Sequence, residues 1–381
     1  MNAPLTLGQS ARTLAVEFAA RAAGHDRDAT FPFENFTQLH EAGLLAIAAP
    51  RELGGQGASI SQLGEVTGAI GQGDPATALV LTMQYLQHRS MGRPGRVWPT
   101  DVARKLVREA VDGVSLINSL RVEPELGSPA RGGLPATIAR RTADGWRLSG
   151  HKVYSTGVPI LKWYAVWART DEDQPRVGSF LLPAGLPGTR IVETWDHLGL
   201  RASGSHDVIF EDVAVAEEHA LDLRLPHEWA VGDPGLQGDM TVLLGSLYNG
   251  VARAARDWVI DFLRQRKPAS LGAALSSLPR AQEIVGNIEA LLLTNDSLLQ
   301  RLARDIDAGV PVPGVDSGLI KSVVTNNAVK VLEAALSLSS NHGLSRKNPL
   351  ERHLRDVLCG RIHTPQDDSV HIAAGRRALG V

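Results

Sequence analysis

Residues 146–157 read WRLSGHKVYSTG, a short run rich in aromatic and β-branched residues that ends in glycine. Further runs of the same kind follow: KWYAVWART (162–170), RVGSFLLPAG (176–185) and HDVIFEDVAV (206–215). Glycine, proline and aspartate clusters separate these runs, and this arrangement is typical of short strands joined by turns. The pattern therefore predicts an antiparallel β-sheet or barrel over residues 116–225.

The regions on both sides of this β segment have a helical pattern. Residues 1–115 carry apolar residues at spacings of three and four, and Asp74 followed by Pro75 predicts the start of a helix. Residues 235–381 contain long apolar stripes of the same period, which favour a helical bundle. Helices, then strands, then helices predict an α+β fold with an N-terminal helical domain, a middle β domain and a C-terminal helical bundle.

Charge and cysteine content exclude several classes of function. The chain has 39 Lys and Arg against 41 Asp and Glu, a net charge of −2, so it lacks the basic excess that binding to nucleic acid requires. Cys359 is the single cysteine, so no intrachain disulfide can form. No apolar run approaches the length that spans a bilayer, and we expect no signal peptide. These features predict a soluble, cytoplasmic protein.

Familiar cofactor and metal motifs are absent from the sequence. No Gly-x-Gly-x-x-Gly follows a predicted strand, and there is no Walker loop, no His-Glu-x-x-His and no cysteine pair. His342, His353, His363 and His371 lie in the last region without the spacing of a metal site. We therefore expect no metal centre and expect most of these histidines to lie at the surface.

Some motifs that the chain does contain recur in one order in a known family. They are LGGQGAS (53–59), VEPELGSP (122–129), SGHKVYSTG (149–157), LGLRASGSHDVIFEDVAV (198–215) and NPLERHLRD (348–356). In this order and spacing the chain resembles the acyl-CoA dehydrogenase family over nearly its whole length. The resemblance implies a C-terminal four-helix bundle, a homo-oligomer (dimer or tetramer), FAD held between the β domain and the bundle (with FMN as the alternative) and an acyl-CoA substrate.

The resemblance also implies which residues bind the cofactor. Those beside the flavin ring are Val122, Gly127, Ser128, Tyr154, Ser155 and Thr156. The Thr156 hydroxyl would lie near N5, where a hydrogen bond stabilises the negative charge that reduction of the ring creates. Arg266 corresponds to an arginine that reaches a pyrophosphate, and Ser340 and Asn341 belong to a loop near the adenosine end.

Several positions depart from the family pattern. Val122 replaces a threonine, and Ser340 and Asn341 replace a pair of glycines. Thr364 occupies the position of the catalytic glutamate. A threonine hydroxyl keeps its proton at neutral pH, so it cannot on its own take a proton from the carbon beside a thioester.

Other residues are candidates for the missing base. Some relatives carry the base on the first long helix of the bundle, at a position near Met240 here; methionine is no base, but Asp239 is its neighbour. His363 precedes Thr364 and belongs to the residue type that titrates near neutrality. Asp367 lies a little further along the chain.

Two stretches also resemble the monooxygenase branch of the same superfamily, which contains dibenzothiophene monooxygenase. They are KVYSTGV (152–158) and RIHTPQDD (361–368). The resemblance to that branch implies that His363 faces the flavin and assists its chemistry with oxygen. It also implies that Thr364 helps to hold His363. A glutamate at this place would oppose the reaction through its negative charge.

Three hypotheses remain open. The first is an FAD-dependent oxidoreductase acting on an acyl-CoA thioester, in which Thr364 replaces the usual glutamate and a displaced base serves. The second is a flavin-dependent monooxygenase using reduced flavin and oxygen, with His363 and Thr364 as catalytic residues. The third is a non-catalytic relative that keeps the fold.

Overall fold

The structure is a computed structural model that describes residues 5–126, 133–229 and 233–381. Gly127 and Ser128, both predicted to bind the flavin, lie outside the described residues. A largely continuous apolar core extends from the N-terminal helices through the sheet into the C-terminal helices. Within the described residues, no helix is both long enough and apolar enough to cross a lipid bilayer.

Helices occupy most of the first described stretch. They are α1 (Leu7–Asp28), α2 (Phe33–Glu41), α3 (Ile60–Gly73), α4 (Pro75–Ser90) and α5 (Thr100–Asp112). The predicted start of α4 is confirmed: the Asp74 carboxylate accepts hydrogen bonds from the backbone N–H groups of Ala76 and Thr77, and Pro75 is the first helical residue.

The middle of the chain forms a mixed sheet. Its strands are β1 (Leu116–Leu120), β2 (Ile138–Thr142), β3 (Gly145–Lys152), β4 (Leu161–Thr170), β5 (Val177–Pro183), β6 (Thr189–Val192), β7 (Asp207–Val215) and β8 (Ala220–Arg224). Their order is β6-β7-β3-β2-β4-β5-β8, and β1 pairs with β4 off this path. Most pairs are antiparallel, as predicted, but β1 and β2 both run parallel to β4. The sequence pattern of a strand indicates which residues face the core. It does not indicate whether neighbouring strands run parallel or antiparallel.

Long helices dominate the last part of the chain. The helices are α6 (Pro226–Trp229), α7 (Pro234–Gln265), α8 (Pro279–Asp307), α9 (Gly314–Ser339), α10 (Asn341–Leu344), α11 (Leu350–Leu358) and α12 (Asp367–Leu379). The three long helices α7, α8 and α9 pack on one another, α11 packs on α7 and α9, and α12 packs on α9. The segment between α11 and α12 is thereby held against the bundle.

Helix α3 crosses α7 at very short distance. The two backbones meet where Gly64, Gly68 and Gly71 of α3 face Ser246, Leu247 and Gly250 of α7. A side chain at Gly71 would place its Cβ 2.7 Å from the Leu247 carbonyl oxygen, closer than real contacts allow. The glycines therefore allow the N-terminal helices and the bundle to form one helical layer.

A buried ion pair fixes the loop that follows β1. Lys152 at the end of β3 is 0% exposed, and its ammonium donates to the Glu123 carboxylate at 2.6 Å. Glu123 also accepts from the backbone N–H groups of Ala136 and Thr137 at 2.7 and 3.0 Å and from the Thr137 hydroxyl at 2.6 Å. A charge buried in this way is retained only when it is paired and hydrogen-bonded. The arrangement anchors the backbone beside Val122.

Candidate active site

The turn after β3 has a strained backbone. Tyr154 adopts φ +57°, a conformation that costs a non-glycine residue energy, and its side chain is 56% exposed. The residues that follow Tyr154 are anchored by a hydrogen bond, in which the Asn118 side chain donates to the Thr156 carbonyl at 3.0 Å. Gly157, at φ +78°, lies so close to Val80 of α4 that a Cβ would come within 2.7 Å of it. Strain supported in this way is typical of functional sites.

A chain of hydroxyl groups ends at Thr156. Ser203 and Ser205 are buried, their oxygens lie 2.8 Å apart, and the Ser205 hydroxyl donates to the Thr156 oxygen at 3.0 Å. Because Thr156 accepts this bond, its own proton remains available to a ligand. The neighbouring Ser155 hydroxyl is buried and has no hydrogen-bond partner within the described residues.

A cavity of about 390 Å³ opens beside this turn. Its walls include Val122, Val153, Tyr154, Trp195, His197 and Ser205. The Trp195 and His197 rings stack at 3.7 Å and 12°, and the Tyr154 ring meets both edge-on. The cavity thus combines flat aromatic walls with a few polar groups, as sites for planar ligands do.

Trp195 and His197 were not among the predicted site residues. Their spacing of two could have indicated them, because residues i and i+2 of an extended segment point to the same side. Two hydrogen bonds tie this wall to the bundle: the Trp195 indole donates to the Leu200 carbonyl at 2.9 Å, and the Leu200 N–H donates to the Asp356 carboxylate of α11 at 2.7 Å. The wall is thereby linked to α11, whereas the residues that line the cavity all belong to the middle part of the chain, between Val122 and Asp207.

His363 lies in the segment that leads from α11 to α12. It is half-buried, and its Nε2 lies 2.7 Å from the hydroxyl of Tyr248, which is fully buried on α7. Burial lowers the pKa of His363 to about 4, and the nearby positive charge of Lys321 acts in the same direction. At neutral pH the imidazole is therefore uncharged. Thr364 follows it, half-buried, and its catalytic role stays a prediction.

The carboxylates considered as replacement bases differ in their contacts. Asp239 is buried and forms ion pairs with Arg89, at 2.8 and 3.0 Å, and with Arg93. Asp239 is thus held by two guanidinium groups, and its service as the base stays a prediction. Asp367 accepts a hydrogen bond from Asn326 at 2.6 Å through one oxygen, and its other oxygen is buried without a hydrogen-bond partner within the described residues, 4.0 Å from the Lys321 ammonium.

The cofactor residues predicted for the phosphate and adenosine portions lie elsewhere. Arg266 ends α7, and Ser340 and Asn341 follow α9; all three are exposed. Both helix ends lie at the same end of the bundle, where the Phe262 and His342 rings are 5.1 Å apart. Within one chain these residues are not part of the cavity wall formed by Val122 and Tyr154.

The histidines of the last region differ in burial. His342 and His371 are exposed, whereas His353 is buried and His363 is half-buried, so the expectation of a mostly exposed set is wrong. The error arises because α11 faces the bundle with the side that carries His353. Among the described residues, no group of three or more His, Cys, Asp or Glu side chains is arranged to hold a metal ion.

We predict that the fold is acid-sensitive. Burial lowers the pKa values of His88 and His363 to about 4 and that of His353 to about 3, from an ordinary value of 6.5. The unfolded chain therefore binds more protons than the native state as pH falls from about 6.5 towards 4, and stability decreases over this range. Asp356 has the opposite effect on stability. Burial raises its pKa to about 7, so the stability that its protonation contributes to the fold grows as pH falls from about 7 towards 4.

Urea denaturation at pH 7 and pH 5 measures the balance. The three histidines reduce stability at pH 5 and the one aspartate increases it. We therefore expect a lower urea midpoint at pH 5 than at pH 7. His353→Gln should flatten the pH dependence, whereas Asp356→Asn should steepen it, and equal slopes in the two variants would contradict the assignment.

Comparisons with known proteins extend over nearly the whole chain. Models of the acyl-CoA dehydrogenase N-terminal, middle and C-terminal domains match residues 5–91, 122–213 and 242–367. YdbM of Bacillus subtilis (strain 168), whose name assigns it provisionally to the acyl-CoA dehydrogenases, is 33% identical over 94% of this chain and 92% of its own.

Other similar proteins carry names that state a different activity or ligand. The amino sugar nitrososynthase RubN8 of Streptomyces rubradiris is 30% identical over 91% of this chain and 82% of its own. The solved structure of KijD3 in complex with FMN and dTDP-3-amino-2,3,6-trideoxy-4-keto-3-methyl-D-glucose is 28% identical, covers 99% of this chain and 95% of its own, and superposes with a TM-score of 0.83. From the three matched domains and the identity to YdbM, the chain belongs to the acyl-CoA dehydrogenase family.

Proposed function

We propose that this protein is a flavin-dependent monooxygenase that binds the flavin ring in the cavity beside Tyr154 and uses His363 in place of a catalytic carboxylate. The observation that carries the proposal is the engagement of the candidate acidic residues. Thr364 stands at the position of the glutamate, and Asp239 is paired with Arg89 and Arg93. His363, with its pKa lowered to about 4, is a weak base at neutral pH.

The residues of the cavity fit a flavin. Trp195, His197 and Tyr154 offer aromatic surface to a planar ring. Thr156 has a hydroxyl proton to donate, and the buried Ser155 hydroxyl would gain a partner if a polar ligand reached it. When bound, a flavin supplies the exchange of two electrons with a substrate or with oxygen. A half-buried, neutral imidazole would add a hydrogen bond in surroundings that contain little water.

Acyl-CoA oxidation is the second candidate. It is favoured by the 33% identity to YdbM, and it requires a base that takes a proton from the substrate carbon. His363 and Asp367 are candidates for that base, and the lowered pKa of His363 and its bond to Tyr248 count against the histidine.

One experiment separates the two functions. Purified protein is mixed with reduced FMN or reduced FAD, and the rate of reoxidation by dissolved oxygen is followed with and without protein. In parallel, protein loaded with oxidised flavin is mixed anaerobically with acyl-CoA thioesters of several chain lengths. Protein-dependent reoxidation without bleaching by thioesters supports the monooxygenase, and bleaching supports the dehydrogenase. Protein that binds neither flavin overturns both.

We also propose that the chain forms a homo-oligomer and that a second copy completes the distal part of the cofactor site. The support is that Arg266, Ser340 and Asn341 are exposed at one end of the bundle and are not part of the cavity wall. Sedimentation velocity measures the assembly. If the bound flavin is FAD, Arg266→Ala should weaken it; if it is FMN, which lacks adenosine, Arg266→Ala should leave its affinity unchanged.

Thr156→Val is expected to weaken flavin binding about tenfold, which corresponds to the loss of one hydrogen bond of about 1.4 kcal/mol. Valine keeps the shape of threonine but cannot donate to the ligand or accept from Ser205. Fluorescence titration of the flavin gives the affinity. Ser205→Ala is the matched control, because it removes the same internal bond and keeps the Thr156 hydroxyl, so it should have a smaller effect. Equal affinity in wild type and Thr156→Val would exclude Thr156 from the site.

A further inference from the structure

The contact between Tyr248 and His363 has ordinary hydrogen-bond length and is well supported by its surroundings. The two residues are far apart in sequence, and the Tyr248 hydroxyl lies 2.7 Å from Nε2 of His363. Gly360 lies against the Tyr248 ring, where a Cβ would come within 3.0 Å of Cδ2. A larger residue there would push the segment that carries His363 away from α7. The segment is therefore built to bring this imidazole to this hydroxyl.

The proton positions follow from burial. Tyr248 is 0% exposed. Within the described residues, the hydrogen-bond partner of the Tyr248 hydroxyl is Nε2 of His363. If Nε2 carried the ring proton, the buried tyrosine proton would be left without an acceptor, and an unpaired buried donor is costly. The hydroxyl therefore donates to Nε2, and the ring proton of a neutral His363 resides on Nδ1.

We infer that Tyr248 is the positioning residue of the site. Its hydroxyl donates to Nε2 of His363 and so selects the neutral form of the imidazole whose proton is on Nδ1. His363 then offers a neutral N–H donor at Nδ1. This inference deepens the proposed function and rests on it for its catalytic meaning. His363 would stabilise negative charge that develops next to it and would not shuttle a proton.

The charged groups around the pair favour the same state. Lys321 of α9 is buried, and its charge disfavours a second proton on His363. Arg361 donates its side-chain N–H to Asn326, and Asp367 faces Lys321 from α12 at 4.0 Å. On the other side, Asp356 and Cys359 act on Tyr248 and, together with burial, raise its pKa well above the usual range, so the hydroxyl stays protonated.

¹⁵N NMR of protein labelled at the histidine ring nitrogens tests the inference without any need for turnover. The His363 signals are assigned by their loss in His363→Asn. We expect the Nδ1–H form at pH 7 and no change to imidazolium down to about pH 5. In Tyr248→Phe the two neutral forms should both be populated. An Nε2–H form or an imidazolium in wild type at pH 7 would overturn the inference.

The catalytic consequence is tested by the reoxidation rate of reduced flavin. Tyr248→Phe should slow it about two- to fivefold at unchanged flavin affinity, because only the fraction of molecules that keeps the Nδ1–H form stays competent. Tyr85→Phe is the matched control: it removes another fully buried hydroxyl, bonded to the Leu44 carbonyl at 2.8 Å, and should leave the NMR form of His363 unchanged.

Replacement of His363 by amides separates a donor from a proton shuttle. The Asn side-chain N–H can occupy the place of Nδ1–H, so His363→Asn should keep a larger share of the rate than His363→Ala, whereas Gln extends towards Tyr248 and should not. Equal loss in all three variants would contradict the role of His363 as an N–H donor. If wild type fails to accelerate reoxidation at all while the NMR result holds, the proposed function is wrong and the positioning role stands.

Discussion

Replacing His363 with alanine is expected to lower the rate of flavin reoxidation by a factor of about 10²–10³, the range found when a preorganised donor is removed from an active site. The variant should still fold. It loses the N–H donor and leaves the Tyr248 hydroxyl buried without its acceptor, which costs about 1–3 kcal/mol of stability. Stopped-flow reoxidation, flavin affinity and circular dichroism measure the three effects separately.

His371→Ala provides the matched control for this experiment. His371 belongs to the same C-terminal region and also uses one ring nitrogen, which lies 3.1 Å from the Ser322 hydroxyl, but it is exposed. Its loss should leave reoxidation within about twofold of wild type, as surface substitutions usually do. If His363→Ala retains the wild-type rate with flavin bound, His363 does not belong to the site.

Gly250→Val is expected to destabilise the fold by about 3 kcal/mol or more, enough to unfold a marginally stable protein. A Cβ at Gly250 would overlap the Gly68 carbonyl oxygen and would come within 2.9 Å of the Gln72 N–H. Both groups belong to the backbone of α3, so no side-chain rotation can relieve the clash, and α3 must separate from α7. Because this crossing joins the N-terminal helices to the bundle, the damage is not local.

Gly286→Ala on α8 is the control, since a Cβ there meets nothing within 4 Å. Alanine is a better helix former than glycine, so this variant should be stabilised by up to about 1 kcal/mol. Urea midpoints of the two variants should move in opposite directions from wild type. A Gly250→Val midpoint equal to that of wild type would mean that the two helices do not approach each other this closely.

Much of the secondary structure was predictable because its signals are local. The long apolar stripes of residues 235–381 form α7, α8 and α9, and the Asp74-Pro75 start of α4 holds to the residue. Strand direction was not predictable, since β1 and β2 reach β4 from different parts of the chain.

The candidate site was predictable only in part. The loss of the glutamate at Thr364 and the presence of His363 beside it are visible in the sequence, because both concern single positions in a motif. The partners that give these residues their properties are not visible there. Tyr248 lies on another helix, and the engagement of Asp239 depends on arginines of α4.

The amino-acid order alone was enough to establish the α+β plan and the family, since periodicity and motif order depend on neighbouring residues, and it also led to the prediction that the usual base is missing. Only the folded chain shows that Tyr248 meets His363, that Trp195 and His197 form an aromatic wall, and that Asp239 is paired with arginines of α4 and of the segment after it. Such contacts join residues that are remote along the chain, and their existence depends on how helices and sheet pack against one another. Proton location and charge at the site follow from that packing, because burial and nearby charges determine which protonation state is stable.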